Sequence, residues 1–439
     1  MEEKMKKMKI FTWLLFFIFV IQSVGHSAPS DFQVQLEALP EVKSVQKIEN
    51  HPFFKETFEV MIEQYLDHGN PQAGKFLQRI FVSDFNQFSP VIFVTEGYAA
   101  NYASKNNYIN ELSGIIEANQ IVVEHRFFGN SIPENINWDY LTIQNAATDL
   151  HRIYRIFQRI YNNQNKWIAT GISKGGQNTM AYYAYYPEDM NIWIPYVGPV
   201  NFAVEDERME KFIDKVDSPQ CREKVKNFQL NVLKNRTAIQ PLLDSLIKAD
   251  GFTFFIPTDQ VLDYCVLEYS FSFWQWGSSC SEIPADTVVP RQLFDYLMKQ
   301  SGPDYFAIEK VSGIKPFFIQ TLKEFGYYGY DTTPFKPFLK IESAENYIEN
   351  VFLKDEPKFE FNKKTSKYIS KAIQKNGQHM LLIYGELDPW TAGGITPKPS
   401  SKAVQIIKPG GSHRTRINNM TYAQQSKIYM LLETWLEQD

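Results

Sequence analysis

The stretch from Trp167 to Pro187 constrains this chain more than any other. It reads as a short apolar strand, Trp167 to Thr170, then a turn of small residues, then a helix from Ser173 to Tyr186 that Pro187 ends. The turn is Gly171-Ile172-Ser173-Lys174-Gly175, with Gly176 behind it. A G-x-S-x-G sequence placed between a strand and a helix implies a sharp reversal, which small residues permit. The serine is then held in a strained conformation with its hydroxyl exposed. The plain alternative is a strand-to-helix turn with a serine cap. The same turn puts the Lys174 N–H at a helix N-terminus, where it faces a developing oxyanion.

Apolar segments alternate with helical ones on both sides of this element. Leu77 to Asp84 and Val91 to Thr95 read as neighbouring strands, and Gln120 to Glu124 as another. Thr142 to Tyr161 carries Ala146, Leu150, Ile153 and Phe157 at helical spacing. Trp193 to Val197 is the next strand. Residues 28–75 read as an opening segment with a helix over roughly Phe53 to Asp67. Strand–helix–strand alternation predicts an α/β fold, a mostly parallel sheet with helices on both faces. The pattern stops at about residue 201 and resumes after about 370 with strands at His379–Tyr384 and Ala403–Ile407 and a terminal helix, Tyr422–Leu436. The economical organisation is one core, residues 28–200 and 371–439, split by a large, mainly helical cap insertion over 201–370.

Composition excludes some partners. The chain has 45 Lys and Arg against 50 Asp and Glu, a net charge of −5, so no basic excess points to nucleic acid. At 44% hydrophobic it has ample material for a core, and the 15% of aromatic residues also suits apolar pockets. Residues 1–27 are a case apart. Lys4, Lys6, Lys7 and Lys9 precede an apolar run from Ile10 to Ile21, and small residues follow at Ser23, Gly25 and Ser27. That is the form of a secretory signal peptide, and the run is short for a membrane span. The expected product is secreted or periplasmic, with no membrane anchor after signal cleavage. The three cysteines, Cys221, Cys265 and Cys280, allow one bridge within a monomer. Their pairing is open. With no CxxC and no neighbouring His, neither a metal site nor a thiol nucleophile is expected, and no cofactor is implied.

A serine hydroxyl needs a base. Only His379 and His413 follow Ser173, and in hydrolases of this sheet type the chain order is Ser, acid, His. His413, in Pro409-Gly410-Gly411-Ser412-His413, lies past the C-terminal end of a strand, where sites form in such sheets. His379 opens its strand at the opposite end. Asp388, in Gly385-Glu386-Leu387-Asp388-Pro389-Trp390, is the acid that would orient the imidazole, with Glu386 its competitor. The three residues are thus expected on three successive strand ends at one sheet edge. A second oxyanion donor is expected after the strand Val91–Thr95, from the N–H of Tyr98 or Gly97. Glu124 and Arg126, at another strand end, either support the framework or bind a charged substrate terminus.

These residues resemble a known family. Thr170 to Gln177, Pro195 to Phe202, Glu124-His125-Arg126-Phe127-Phe128-Gly129 and Tyr384 to Trp390 are similar to the secreted prolyl tri- and tetrapeptidyl aminopeptidases, serine exopeptidases of the α/β-hydrolase clan. More distantly they resemble the lysosomal Pro-X carboxypeptidase group. The resemblance covers the core on both sides of the insertion. It implies a triad on Ser173, Asp388 and His413, and release of short peptides from a free N-terminus after proline. It also implies an amine-binding acid in the cap, for which Glu205 and Asp206 are candidates. Trp390, Trp274 and Trp276 are candidate walls for a proline slot. Two rival readings use the same fold: an esterase or lipase, and a non-catalytic binding module.

Overall fold

The computed structural model describes residues 29–161 and 165–438. The leader read over residues 1–27 lies outside them. Nine strands form one sheet: β1 Val42–Ile48, β2 Glu56–Tyr65, β3 Lys75–Asp84, β4 Val91–Thr95, β5 Asn119–Val123, β6 Trp167–Ile172, β7 Ile192–Tyr196, β8 Leu381–Gly385 and β9 Val404–Lys408. Their spatial order is β1-β2-β3-β5-β4-β6-β7-β8-β9. The pairings β1 with β2, β2 with β3 and β3 with β5 are antiparallel. Every pairing from β5 to β9 is parallel. This is the α/β-hydrolase fold.

The parallel strands are short and apolar because both of their faces are covered. Val-Ile-Phe-Val-Thr in β4 and Ile-Trp-Ile-Pro-Tyr in β7 are buried at every position. The helices that frame the site are α1 Ile143–Phe157, α2 Lys174–Tyr185, α3 Thr258–Trp276, α4 Lys363–Lys375 and α5 Tyr422–Glu437. On one face Leu150 and Ile153 of α1, Met180 and Tyr182 of α2 and Ile369 and Ile373 of α4 join Phe93, Trp167 and Trp193 of the sheet in one apolar cluster. On the other, Ile428, Leu432 and Trp435 of α5 pack with Ile92, Ile168, Ile194 and Ile383. Caps fix the helix starts: Thr142 accepts from the Asn145 N–H before α1, and Thr421 and Gln424 form a capping box before α5. Among the described residues no helix is long and apolar enough to cross a membrane.

Between β7 and β8 the chain runs through helices that build a separate apolar cluster around α3. Within it Cys221 is bridged to Cys280, while Cys265 is free and buried.

Three expectations change. The helix expected over Phe53–Asp67 is instead strand β2, in which Phe58, Val60 and Ile62 are buried and Glu59, Met61 and Glu63 are partly exposed. That alternation has the period of a strand with one side partly open. The strands Lys75–Asp84 and Val91–Thr95 are not neighbours, because β5 lies between them. And β7 stands between β6 and β8, so the strands that lead to Ser173, Asp388 and His413 are not all consecutive in the sheet.

Candidate active site

Ser173 leaves β6 and begins α2 with φ 57° and ψ −119°. This is a strained backbone for a residue with a side chain, costing of order 1–3 kcal/mol. Contacts around it explain its retention. A Cβ on Gly171 would lie 2.3 Å from the Gly175 carbonyl oxygen, and one on Gly176 would lie 2.7 Å from the Tyr196 carbonyl oxygen. Helix α2 therefore crosses β6 and β7 at a distance only glycines allow. The Ser173 N–H donates to the Tyr196 carbonyl at 2.9 Å, which pins the turn to β7. The serine side chain caps no N–H of α2, so the plain-cap alternative fails.

Asp388 and His413 meet. The Asp388 carboxylate is fully buried, and its Oδ2 lies 2.7 Å from His413 Nδ1. Its Oδ1 accepts from the Trp390 N–H at 3.2 Å, so both oxygens are fixed. Glu386, the competitor, is exposed and accepts from the Gly410 N–H at 2.7 Å instead. The loop carrying His413 is held to the loop carrying Asp388 by the Leu387 N–H on the Gly411 carbonyl at 2.7 Å. It is also held to the end of α3, since the His413 N–H donates to the Gln275 carbonyl at 2.9 Å. Trp276, 45% exposed, sets its ring edge-to-face against the His413 ring at 5.9 Å.

Ser173 lines a cavity of about 70 Å³ together with Tyr98, Lys174, Gln275, Tyr327 and Trp390. Phe317 closes another wall; its ring centroid lies 5.5 Å from that of Tyr98 and 5.4 Å from that of Tyr327. The space suits one small group rather than a drug-sized ligand. Gln275, whose carbonyl holds His413, thus also faces the serine's cavity. Among the described residues the Ser173 hydroxyl has no hydrogen-bond partner, His413 included. Such bonds are commonly long in unliganded enzymes and tighten when substrate binds.

The family described as PS-10 peptidase S37 has a sequence model that matches residues 28–436. The chain belongs to the peptidase S37 family. It is 28% identical over 428 residues to the prolyl tri/tetrapeptidyl aminopeptidase of Streptomyces mobaraensis, covering 94% of this chain and 87% of that one. A shorter match, 27% identical over 154 residues and 31% of each chain, is to a probable serine protease EDA2 of Arabidopsis thaliana. A crystal structure of proline iminopeptidase from Mycobacterium smegmatis matches at 12% identity and a TM-score of 0.37, over 90% of this chain and 100% of that one. That likeness is too distant to add to the sheet topology. The chain is a serine peptidase.

In this S37 peptidase the other residues singled out by sequence have varied fates. Tyr98 and Trp390 line the serine's cavity. The Glu124 carboxylate is held by the framework. It is fully buried and accepts from Arg79, from the Ala100 N–H at 2.9 Å, from the Asn130 N–H at 2.8 Å and from Ser131 Oγ at 2.9 Å. It does not pair with Arg126, whose guanidinium binds Asp149 at 2.6 and 2.8 Å. Glu205 accepts from the Asn346 N–H at 2.7 Å and bridges through its backbone to Tyr327. Burial raises its carboxyl pKa. Asp206 is taken by Arg208 at 2.7 Å and by the Phe202 N–H at 2.8 Å. Trp274 lines a different cavity of about 280 Å³ with Glu210, Asp331 and Phe335. Phe271, in ring contact with Trp390 at 5.2 Å, also lines that second space.

Phe317, Tyr327 and Gln275 were not found from sequence. They lie in the segment between β7 and β8, where no periodicity or motif marks which aromatic side chains face inward. As for metals, among the described residues one grouping has suitable spacing, Asp217 with Cys221 and Cys280. Its two sulfurs are bonded to each other, which leaves no thiolate to ligate an ion.

Proposed function

We propose that this serine peptidase is an exported exopeptidase that releases short peptides from free N-termini, cutting after proline through an acyl-enzyme on Ser173. Residues 201–370 act as its cap over a core of 28–200 and 371–439. The observation that carries the reading is the small aromatic-walled cavity beside the Ser173 turn. A proline ring is compact and has no N–H, so it asks for an apolar slot and no hydrogen-bond acceptor. The printed activity of the Streptomyces relative points the same way. Export is supported by the leader-like sequence of residues 1–27 and by the Cys221–Cys280 bridge, which suits an oxidising compartment.

In the mechanism proposed, Asp388 holds the Nδ1–H of His413 and leaves Nε2 as the base. His413 takes the proton of Ser173 as its oxygen attacks the carbonyl carbon. The resulting oxyanion accepts from the Lys174 and Tyr98 N–H groups, each donor contributing about 3 kcal/mol. His413 then protonates the leaving amine, and the peptide C-terminal to the cut departs. Water, deprotonated by the same imidazole, attacks the ester and frees Ser173.

The test uses prolyl peptide anilides with free or blocked N-termini, an aryl ester, and mass analysis of the products. Free-amine prolyl substrates should be preferred, and Ser173→Ala should fold normally but lose turnover by orders of magnitude. Turnover of Ser173→Ala within about tenfold of wild type would reject the serine's role. Preference for the ester, or indifference to the free amine, would reassign the enzyme as an esterase.

A further inference from the structure

Lys174 follows Ser173 directly, yet its side chain is 1% exposed and so is out of reach of bulk solvent. Its Nζ donates to the Gly97 carbonyl oxygen. Around it stand the rings of Phe128, Tyr98 and Phe325, with centroids 4.7, 5.3 and 5.4 Å from Nζ. Among the described residues no carboxylate pairs with it within salt-bridge distance. The nearby Glu96 carboxylate instead accepts from Tyr102 and from the Gly97 N–H at 3.3 Å. Burial pushes the Lys174 ammonium pKa down, while the Glu96 charge opposes that shift. Burying an amine on a single carbonyl and three ring faces is costly for a fold that has no need of it.

The carbonyl it holds has a particular partner. The Gly97 C=O and the Tyr98 N–H belong to one peptide unit, and in a trans peptide they point in opposite directions in one plane. No peptide bond described is cis. Fixing the oxygen therefore fixes the direction of the N–H. Among the described residues nothing accepts from the Tyr98 N–H, and Tyr98 lines the cavity that holds Ser173. A carbonyl that accepts a hydrogen bond also polarises its amide, which strengthens the N–H as a donor. The loop lies directly against the helix start: a Cβ on Gly97 would meet Lys174 Cβ at 2.7 Å and the Gly175 nitrogen at 2.9 Å.

We infer that Lys174 is a positioning residue for the oxyanion hole, its side chain aiming the Tyr98 N–H while its own backbone N–H supplies the first donor. Residue 174 then sets both halves of the hole. The inference rests on the proposed acyl-enzyme mechanism. It assigns the side chain no contact with substrate.

The test is Lys174→Met, which keeps the apolar stem and removes the donor. Two prolyl peptides are compared as ligands: an aldehyde, which forms a hemiacetal oxyanion with Ser173, and the matching alcohol, which does not. In the variant, kcat and aldehyde affinity should both fall about 100-fold, the usual loss for one oxyanion donor. KM and alcohol affinity should stay within about threefold. A merely structural role would weaken both ligands together or lower only the melting temperature. An unchanged ratio of aldehyde to alcohol affinity in folded enzyme overturns the inference. Should Lys174→Met not fold, Lys174→Gln, polar and shorter, must show the same fall in that ratio. Wild type is tested first for its adduct with Ser173. If it forms none, the mechanism itself falls and the inference with it; if it forms one, the variant alone decides.

Discussion

Replacing Asp388 by Asn isolates what the buried carboxylate contributes. The side chain stays in place and Oδ2 becomes, at best, an amide oxygen 2.7 Å from His413 Nδ1. In the mechanism proposed, His413 becomes an imidazolium on taking the serine proton, and the charge centres of the pair then stand about 4 Å apart. At an effective dielectric near 20 that attraction is about 4 kcal/mol, or about 1,000-fold in rate at 1.36 kcal/mol per decade. If the amide presents its NH₂ to Nδ1, the imidazole proton moves to Nε2, the nitrogen that the proposed mechanism needs unprotonated. Together these effects should bring the loss in kcat to about 10³–10⁴-fold. The assay is kcat on a free-amine prolyl anilide, with the rate of fluorophosphonate labelling of Ser173 as a second reading and a thermal melt to establish folding. Glu386→Gln is the control, because that carboxylate is exposed and bound to the Gly410 N–H. It should stay within about threefold of wild type. A folded Asp388→Asn enzyme within about tenfold of wild type, or an equal loss in the control, would refute the reasoning.

Two other perturbations separate framework from site. Glu124→Gln leaves Arg79 facing a neutral amide in a sealed environment, so it should cost about 3–5 kcal/mol in denaturant unfolding and leave KM per folded molecule nearly unchanged; a selective rise in KM on intact stability would restore Glu124 as a substrate contact. Burial alone would raise the Asp149 carboxyl, but the Arg126 guanidinium and His68 bring its pKa below the usual range. A depressed folded pKa gives stability that is present above the unfolded value, about 3.9, and is lost as pH falls through the folded value. The stability gap between wild type and Asp149→Asn should therefore be wide at neutral pH and narrow below about pH 4; a gap independent of pH would contradict the ion pair's role.

Where local chemistry and fold agree, the sequence is readable. The elbow was legible because Gly171, Gly175 and Gly176 are dictated by backbone contacts of the same turn. The pairing of Asp388 with His413 was legible because each follows an apolar strand, and strand direction in a parallel sheet sends both to one rim. Strand β2 was misread because Phe53-Phe54 and the run to Tyr65 have apolar residues dense enough to fit either period. The role of Glu124 turned on Arg79, a partner 45 residues away that no local pattern announces. The cavity walls were the hardest. Phe317 and Tyr327 come from a segment whose aromatic residues look alike in sequence, and tertiary packing alone selects those that face Ser173.

The bond from the His413 N–H to the Gln275 carbonyl has a mechanical consequence. The end of α3 and the loop that carries His413 are tied at one point, so a motion that lifted α3 would carry that loop with it. For the exopeptidase proposed above, substrate would then enter with α3 still in place, end-first. A loose chain terminus travels that way easily, and the middle of a folded protein does not.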